Sequence, residues 1–243
     1  MSASKAAYIQ LGAIVLAIGF IGATILLTGE SPHRVIAALW NGAFGTPDRI
    51  ARCFSTLVPL VLCASGLVFT FAAGLYNLGV EGQITAGAIA TTFTLRLGET
   101  LLPPSLLLPL AIVMGGLGGT VWGGATGILT VYGRINEIFA GLGLNFVIEG
   151  LALYLVFGPW KREGVASMSG TEPFPEALHL GTIGRTEASP VALGIAIVAL
   201  GATILVMRST YIGLKLRAVG KNQRAAYVLG IPAVRYLMGS LMA

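Results

Sequence analysis

Charged side chains are scarce in this sequence of 243 residues. Asp, Glu, Lys and Arg make up only 10% of it, whereas a soluble domain usually carries about 25%. Hydrophobic residues account for 55% of the chain, and its mean hydropathy is +0.85. This composition excludes an ordinary soluble globular domain and indicates an integral membrane protein, so the length cannot be converted into a number of domains.

Cysteine and histidine are also rare, with two residues of each type. Cys53 and Cys63 fall in one hydrophobic segment, and in a helix they would lie about 15 Å apart along the axis, too far for a disulfide. His33 and His179 are far apart in the sequence. The sequence therefore predicts no metal site, and it contains no nucleophile motif and no phosphate-binding loop.

Hydrophobic runs of about 20 residues, the length that spans a bilayer as a helix, recur along the chain. We expect the first run to be an uncleaved helix, because it is long for a signal peptide and lacks a clear small-residue cleavage site. A further run begins near Val234 and stops with the chain at Ala243, which predicts a truncated sequence. The pattern predicts an all-α, polytopic transmembrane bundle in a single domain, 1–243, with about six complete helices at 7–28, 52–73, 82–97, 105–131, 137–158 and 189–207.

Basic residues indicate the orientation of this bundle. The segment 208–235 contains six bases and no acid, and such a cluster beside helix ends marks the cytoplasmic side. Alternation of the helices then places the polar loop 159–188 on the extracytoplasmic side. The bases of the segment are Arg208, Lys215, Arg217, Lys221, Arg224 and Arg235.

The same basic segment contains a predicted short helix. Asn222 is a suitable N-cap, and Gly230 followed by Pro232 would end the helix. Its small apolar residues, Ala225, Ala226 and Leu229, could dock into a groove of another protein. Attachment of the bases to anionic lipid is the alternative, and composition does not separate the two.

Four glycines recur at every fourth position of the run 105–131 and therefore share one helix face. Small residues on such a face allow two helices to approach closely. We predict that they pack helices inside one subunit, with a subunit interface as the alternative. They are Gly115, Gly119, Gly123 and Gly127.

Polar residues interrupt the hydrophobic sequence at "GLYNLGVEGQ", residues 74–83. Non-helical backbone at membrane depth is tolerated only where protein buries it or water reaches it, and broken helices often line transporter sites. Asn77, Glu81 and Gln83 are therefore candidates for binding a polar solute. A plain cytoplasmic turn, in which Asn77 caps the next helix, is the competing interpretation.

The run 137–158 carries two more candidates for the solute pathway, Asn145 and Glu149, spaced four residues apart. Glu149 lies near the middle of the predicted span, and an intramembrane carboxylate normally faces a partner or a water-filled cavity. A satisfied structural carboxylate is the bland alternative. A buried acid is also compatible with a secondary transporter driven by an ion gradient.

Four ordered stretches resemble permeases of the ABC import family that takes up ribose, branched-chain amino acids and nucleosides. "FAAGLYNLGVEGQITAGA" carries the pattern N-x-G-x-E-G-Q, which looks like the nucleoside branch. "LWNGAFGTP" is similar to a "GAFGS" element, and "INEIFAGLGLNFV" is similar to a "NEVISTIMLNYI" element, with matches at Asn136, Glu137 and Asn145. "GLKLRAVGKNQRAAYVLGI" is similar to the cytoplasmic coupling segment, with matches at Arg217, Ala218, Gly220, Asn222, Ala225, Ala226 and Gly230.

This resemblance implies a non-enzymatic permease subunit of an importer for a nucleoside or related small polar solute, in the inner membrane of a bacterium. It implies three partners: a second permease subunit, a cytoplasmic ATPase and an extracytoplasmic solute-binding protein. ATP would bind to the ATPase, and this chain would carry no cofactor and no catalytic residue. The sequence departs from the pattern at Ala140-Gly141, where the family often has Ser-Thr, and Glu149 has no counterpart. A secondary transporter with Glu149 as proton carrier and a non-transporting membrane scaffold remain alternatives.

Overall fold

The computed structural model describes residues 3–162, 164, 170–183, 186 and 188–243, with side chains from residue 8 onward. Within these residues the regular structure is helical apart from one isolated antiparallel bridge, between Lys161 and Thr171. The predicted all-α fold is confirmed. The helices are α1 Ala3–Leu27, α2 Pro32–Phe44, α3 Pro47–Ala72, α4 Val80–Gly98, α5 Pro104–Val131, α6 Glu137–Phe157, α7 Pro190–Ser209, α8 Tyr211–Lys221, α9 Gln223–Val228 and α10 Ala233–Leu241, with a short 3₁₀ helix at Glu176–Leu178.

Five of the described helices are long and apolar enough to cross a membrane: α1, α3, α5, α6 and α7. The prediction of six complete spans is therefore wrong in its count. Helix α4 forms where the third span, 82–97, was expected, and its 19 residues would nearly suffice. Its hydropathy is too low, because Glu81, Gln83, Arg96 and several threonines interrupt its apolar residues. Helix α3 also begins earlier than predicted, at Pro47.

The chain divides into two compact units. The first comprises residues 1–55 and 183–188, with α1, α2 and the first turns of α3. Inside it, the Arg49 guanidinium donates to the carbonyl oxygen of Asn41 at 2.6 Å and ties α3 to α2. The second unit comprises residues 56–182 and 189–243 and contains the features that follow. Cys53 and Cys63 are free thiols, as predicted.

Helices α4 and α5 of the second unit pack with their backbones close together, and glycine makes this possible. A Cβ added to Gly115 would overlap the Thr91 hydroxyl of α4, and one added to Gly119 would lie 3.2 Å from the carbonyl oxygen of Gln83. Gly123 and Gly127 instead face α10, where Leu241 and Met238 approach them. The glycine-bearing side of α5 thus contacts helices of the same chain.

Two apolar clusters lie at opposite ends of α4. The larger joins the residues that directly follow α3 to α7, α8, α9 and α10 through Ala73, Leu75, Met207, Leu216, Val219, Ala226, Leu237 and Leu241. The smaller joins the far end of α4 to the start of α5 and the loop through Leu95, Leu107, Ala111 and Leu178. Leu178, in the described part of the loop, therefore lies at the end of α4 opposite the basic segment.

Candidate solute site

Helix α3 ends at Ala72, and the next helix, α4, begins only at Val80. Gly74 has a φ of +78°, a left-handed conformation that other residues adopt at a cost. The Leu75 N–H donates to the Thr70 carbonyl at 2.9 Å and closes the end of α3. We call residues 73–79 the break. Its remaining backbone groups need other partners, because hydrocarbon offers none.

Asn77 is itself part of the break, and its side chain is a hydrogen-bond partner for the backbone there. Its side chain is buried, and its Oδ1 accepts from the Gly79 N–H at 3.0 Å. Its Nδ2 donates to Oε1 of Gln83 at 3.4 Å, and Gln83 Nε2 donates to the Leu241 carbonyl at 2.6 Å. Asn77 therefore supports the turn before α4 and also belongs to a polar chain that reaches α10. It does not cap α4 as the competing interpretation had it, because the N-cap of α4 is Gly79.

Asn145 lies on α6, outside the break, and its side chain hydrogen-bonds backbone groups at the end of the break and the start of α4. Its side chain is 4% exposed, and both ends of its amide are bonded. Oδ1 accepts from the Gly82 N–H at 2.9 Å, and Nδ2 donates to the Leu78 carbonyl at 3.0 Å. One turn earlier, Gly141 lets α6 come close, because an added Cβ would lie 2.7 Å from the Gly79 nitrogen. Gly141 and Asn145, four residues apart on α6, therefore both face the region of the break.

A cavity of about 340 Å³ opens beside the break. Asn77 and Gln83 both line it, and no residue of its wall carries a charged side chain. Glycines of α4 and α5 form much of one side. The lining residues are Leu62, Cys63, Gly66, Leu67, Asn77, Val80, Gln83, Ile84, Gly87, Gly115, Gly116, Gly119, Thr120, Ser240, Met242 and Ala243.

The structure places the other predicted pathway residues away from this cavity wall. Glu81 is exposed in the first turn of α4, where a carboxylate stabilises the helix N-terminus. Glu149 is half-buried on α6, one turn beyond Asn145. Asn145 acts on the backbone of the break and does not line the cavity. Of the five candidates, therefore, only Asn77 and Gln83 face the space that a solute could occupy.

Thr120 and Ser240 also line this cavity, and neither was predicted from the sequence. Thr120 directly follows Gly119 in the glycine-rich run, so a search for polar residues beside the small-residue face would have found it. Ser240 lies on α10, in the last hydrophobic run of the sequence, which begins near Val234. Only the contacts between α10 and α5 place Ser240 at the site, and no local signal carries that information.

The basic segment folds much as its caps predict. The Asn222 side chain accepts from the Ala225 N–H at 3.0 Å and starts α9. Gly230 has a φ of +79° just after the helix. Ala226 is 2% exposed and belongs to the apolar core, so its side chain is not on the surface that a partner would contact. The exposed residues of this segment that are relevant to a partner are Arg217, Ala225, Tyr227, Val228 and Leu229.

The basic segment and the break are in direct contact. A Cβ added to Gly220 would overlap the carbonyl oxygen of Ala72, and one added to Gly74 would lie 3.0 Å from the Gly220 carbonyl oxygen. Ala73 and Leu75 share an apolar core with Val219 and Ala226. Because these contacts are tight on both sides, a displacement of α8 would shift the start of the break.

The family described as branched-chain amino acid transport system / permease component has a model that matches residues 49–243. The guanosine ABC transporter permease protein NupP of Bacillus subtilis is 28% identical over 96% of this chain. The nucleoside ABC transporter permease protein NupB of Lactococcus lactis is 27% identical over 94% of it. The glucose ABC transporter permease protein TsgB13 of Haloferax volcanii is 32% identical over 77% of it.

The chain spans 67%, 65% and 50% of the lengths of these three relatives. No solved structure matches it significantly.

Proposed function

The chain belongs to the permease-component family of branched-chain amino acid transport systems, and from this premise we propose that it is the permease subunit of an ABC importer for a neutral nucleoside or a related compound. It is a multi-pass protein of the cytoplasmic membrane, with five apolar helices of spanning length in its described part. Permease components are transport subunits rather than enzymes.

One observation carries this proposal: residues near one end of the break line the cavity, and residues near its other end touch the basic segment. Asn77 and Gln83 line the cavity, and Gly74 touches Gly220 of α8. A force applied to α8 from the cytoplasm would therefore reach the cavity wall within a few residues. An importer driven by a cytoplasmic ATPase requires such a connection between its solute space and its partner surface.

The cavity wall favours a neutral polar solute. A volume of about 340 Å³ is within the usual range of small-molecule pockets. Its carboxamides and hydroxyls can donate to and accept from a nucleobase or ribose, and none of its side chains carries a charge that could form an ion pair with a phosphate or with an amino acid zwitterion. The relatives NupP and NupB, which are named as permeases for guanosine and for nucleoside, point to the same class.

We assign the ATPase contact to the exposed side of α9 and the adjoining Arg217 of α8. Tyr227, Val228 and Leu229 are consecutive and are 75%, 84% and 77% exposed, and a contiguous apolar patch of this kind can mark a protein contact. ATP would bind to that partner. A second permease subunit would complete the solute path, and an extracytoplasmic binding protein would deliver solute at the end of the molecule that carries the loop 159–188.

A gradient-driven carrier with Glu149 as its proton carrier is the second candidate. Its carboxylate is half-buried, but it does not line the cavity. Such a carrier also has no use for a partner surface linked to the solute space. The family membership and the contact between α8 and the break both favour the ABC importer.

Uptake of labelled nucleosides tests the proposal. Cells that carry the whole gene cluster are compared with and without this gene, while ATP and the proton gradient are depleted separately. We expect gene-dependent uptake that survives loss of the gradient and stops with loss of ATP. Uptake that follows the gradient would support the carrier, and gene-dependent uptake of glucose in place of nucleosides would overturn the substrate class.

A paired substitution tests the cavity itself. Gln83→Leu removes a carboxamide from the wall, and we expect the KM for nucleoside to rise several-fold to about tenfold, the effect of losing one hydrogen bond. Glu81→Gln, two residues away on the exposed side of α4, should leave the KM unchanged. Equal kinetics for the two variants, with equal amounts in the membrane, would show that Gln83 does not contact the solute.

A further inference from the structure

Helix α8 begins directly after α7, which is long and apolar enough to cross a membrane. Thr210 separates the two helices with an extended backbone, and its hydroxyl accepts from the Gly213 N–H to start α8. Gly213 lies directly against the last turn of α7, since an added Cβ would be 2.5 Å from the Val206 carbonyl oxygen. Because α7 is one of the apolar spans, this contact holds the first turns of α8 at the membrane surface.

The two faces of α8 differ sharply. Gly213, Leu216 and Val219 are buried against the rest of the chain. Tyr211, Leu214 and Lys215 lie at spacings of three and four residues on the other side and are exposed. Tyr211 is 80% exposed and Leu214 is 58% exposed, so no part of the described chain covers this apolar surface.

Two exposed bases lie within a few residues of Tyr211 and Leu214 in the sequence. Arg208, in the last turn of α7, and Lys215 are both exposed, and no acidic residue occurs between residues 208 and 235. An exposed tyrosine and an exposed aliphatic side chain together with bases are typical of a helix that lies in the membrane interface. Anionic phospholipids of the cytoplasmic leaflet attract such bases, which supplies the charge complementarity.

We propose that Arg208, Tyr211, Leu214 and Lys215 form a site for an anionic phospholipid. The two bases hold the phosphate of the headgroup, and Tyr211 and Leu214 contact the start of its acyl chains. The exposed side of α9, beyond Asn222, remains available for a protein partner. The inference depends on the membrane insertion of α7 and not on which solute is transported, so it can fail or hold independently of the proposed function.

A lipid titration of the purified chain in detergent micelles tests this site. Native mass spectrometry measures the affinity for phosphatidylglycerol relative to phosphatidylcholine, in the parent and in the double variant Arg208→Gln/Lys215→Gln. Each base near a membrane surface contributes about fivefold in binding, so we expect the relative affinity to fall by roughly 25-fold. The matched control is Arg224→Gln/Arg235→Gln, which removes two exposed bases from the same segment and should leave the ratio close to that of the parent.

Three results would overturn the proposal. An unchanged ratio in Arg208→Gln/Lys215→Gln would show that these bases bind no lipid. An equal fall in both double variants would show attraction to net charge without a site. An unchanged ratio combined with weaker co-purification of the ATPase would assign the surface to a protein. If the double variant does not fold, the parent is measured at increasing salt concentration. Its preference for phosphatidylglycerol should disappear if the bases hold the phosphate, and a preference that persists would contradict the proposal.

Discussion

At the scale of single residues, Asn145 holds the break in place. Its amide pairs with the Leu78 carbonyl and the Gly82 N–H, and both groups would lose their side-chain partner in Asn145→Ala. An unpaired buried polar group costs about 1–3 kcal/mol. We therefore expect Asn145→Ala to lower the free energy of unfolding by about 2 kcal/mol or more, measured by unfolding of the purified chain in detergent.

A matched control for this change lies at the start of the same helix. Asn136 is exposed, and its side chain caps α6 by accepting from the Ile138 N–H at 2.9 Å. Loss of a cap typically costs about 1 kcal/mol. If Asn145→Ala costs no more than Asn136→Ala, the amide of Asn145 does not hold the break.

Single residues were predictable where backbone chemistry dictates them. Polar residues in a hydrophobic run had to be buried or wet, and this reasoning selected Asn77 and Gln83, which line the cavity, and Asn145, which is buried against the break. The same reasoning also chose Glu81 and Glu149, which do not line the cavity. A sequence shows that a residue is polar and lies on a helix, but the direction of its side chain depends on which helices pack around it. In this chain those neighbours are α5 and α10, distant in sequence from the break.

At the scale of elements, the contact between α8 and the break is the feature most sensitive to size. Gly220 sits so close to Ala72 that an added methyl group would overlap its carbonyl oxygen. We expect Gly220→Ala to lower the free energy of unfolding by about 1–3 kcal/mol, the usual cost of overpacking, and to reduce nucleoside uptake. Gly239→Ala on α10 is the control, because no atom lies within 4 Å of its added Cβ. Equal stability and uptake in the two variants would contradict a coupling role for this contact.

The elements themselves followed closely from hydrophobicity and caps. Long apolar runs gave five helices of spanning length, and the Asn222 cap correctly placed the start of α9. Helix α4 was expected to be as apolar as the others, but its face toward α5, α6 and α10 carries polar and small residues. The tertiary role of Ala226 was also missed, since a small residue on a short helix can face a partner or its own core with equal ease.

At the scale of the whole molecule, sidedness decides how the features work together. In the second unit, the break and the basic segment share one end of α4, while Leu178 and the described loop residues lie at the other. An ATPase on the first side would act directly on the break. A binding protein on the second side would meet the cavity from the far end of α4 and α5. The proposed function therefore requires the loop 159–188 to face outward and α9 to face the cytoplasm.

Cysteine labelling in intact cells measures this sidedness. Cys53 and Cys63 are first replaced by Ser, which breaks no disulfide because both are free thiols. A single cysteine is then introduced by Lys161→Cys in the loop or by Arg224→Cys on α9, both exposed positions. We expect a membrane-impermeant maleimide to label only Lys161→Cys in intact cells, and to label both after the cells are opened. The reverse pattern would invert the bundle and place α9 out of reach of any cytoplasmic ATPase, and labelling of both in intact cells would mean that the two segments do not lie on opposite sides of the membrane.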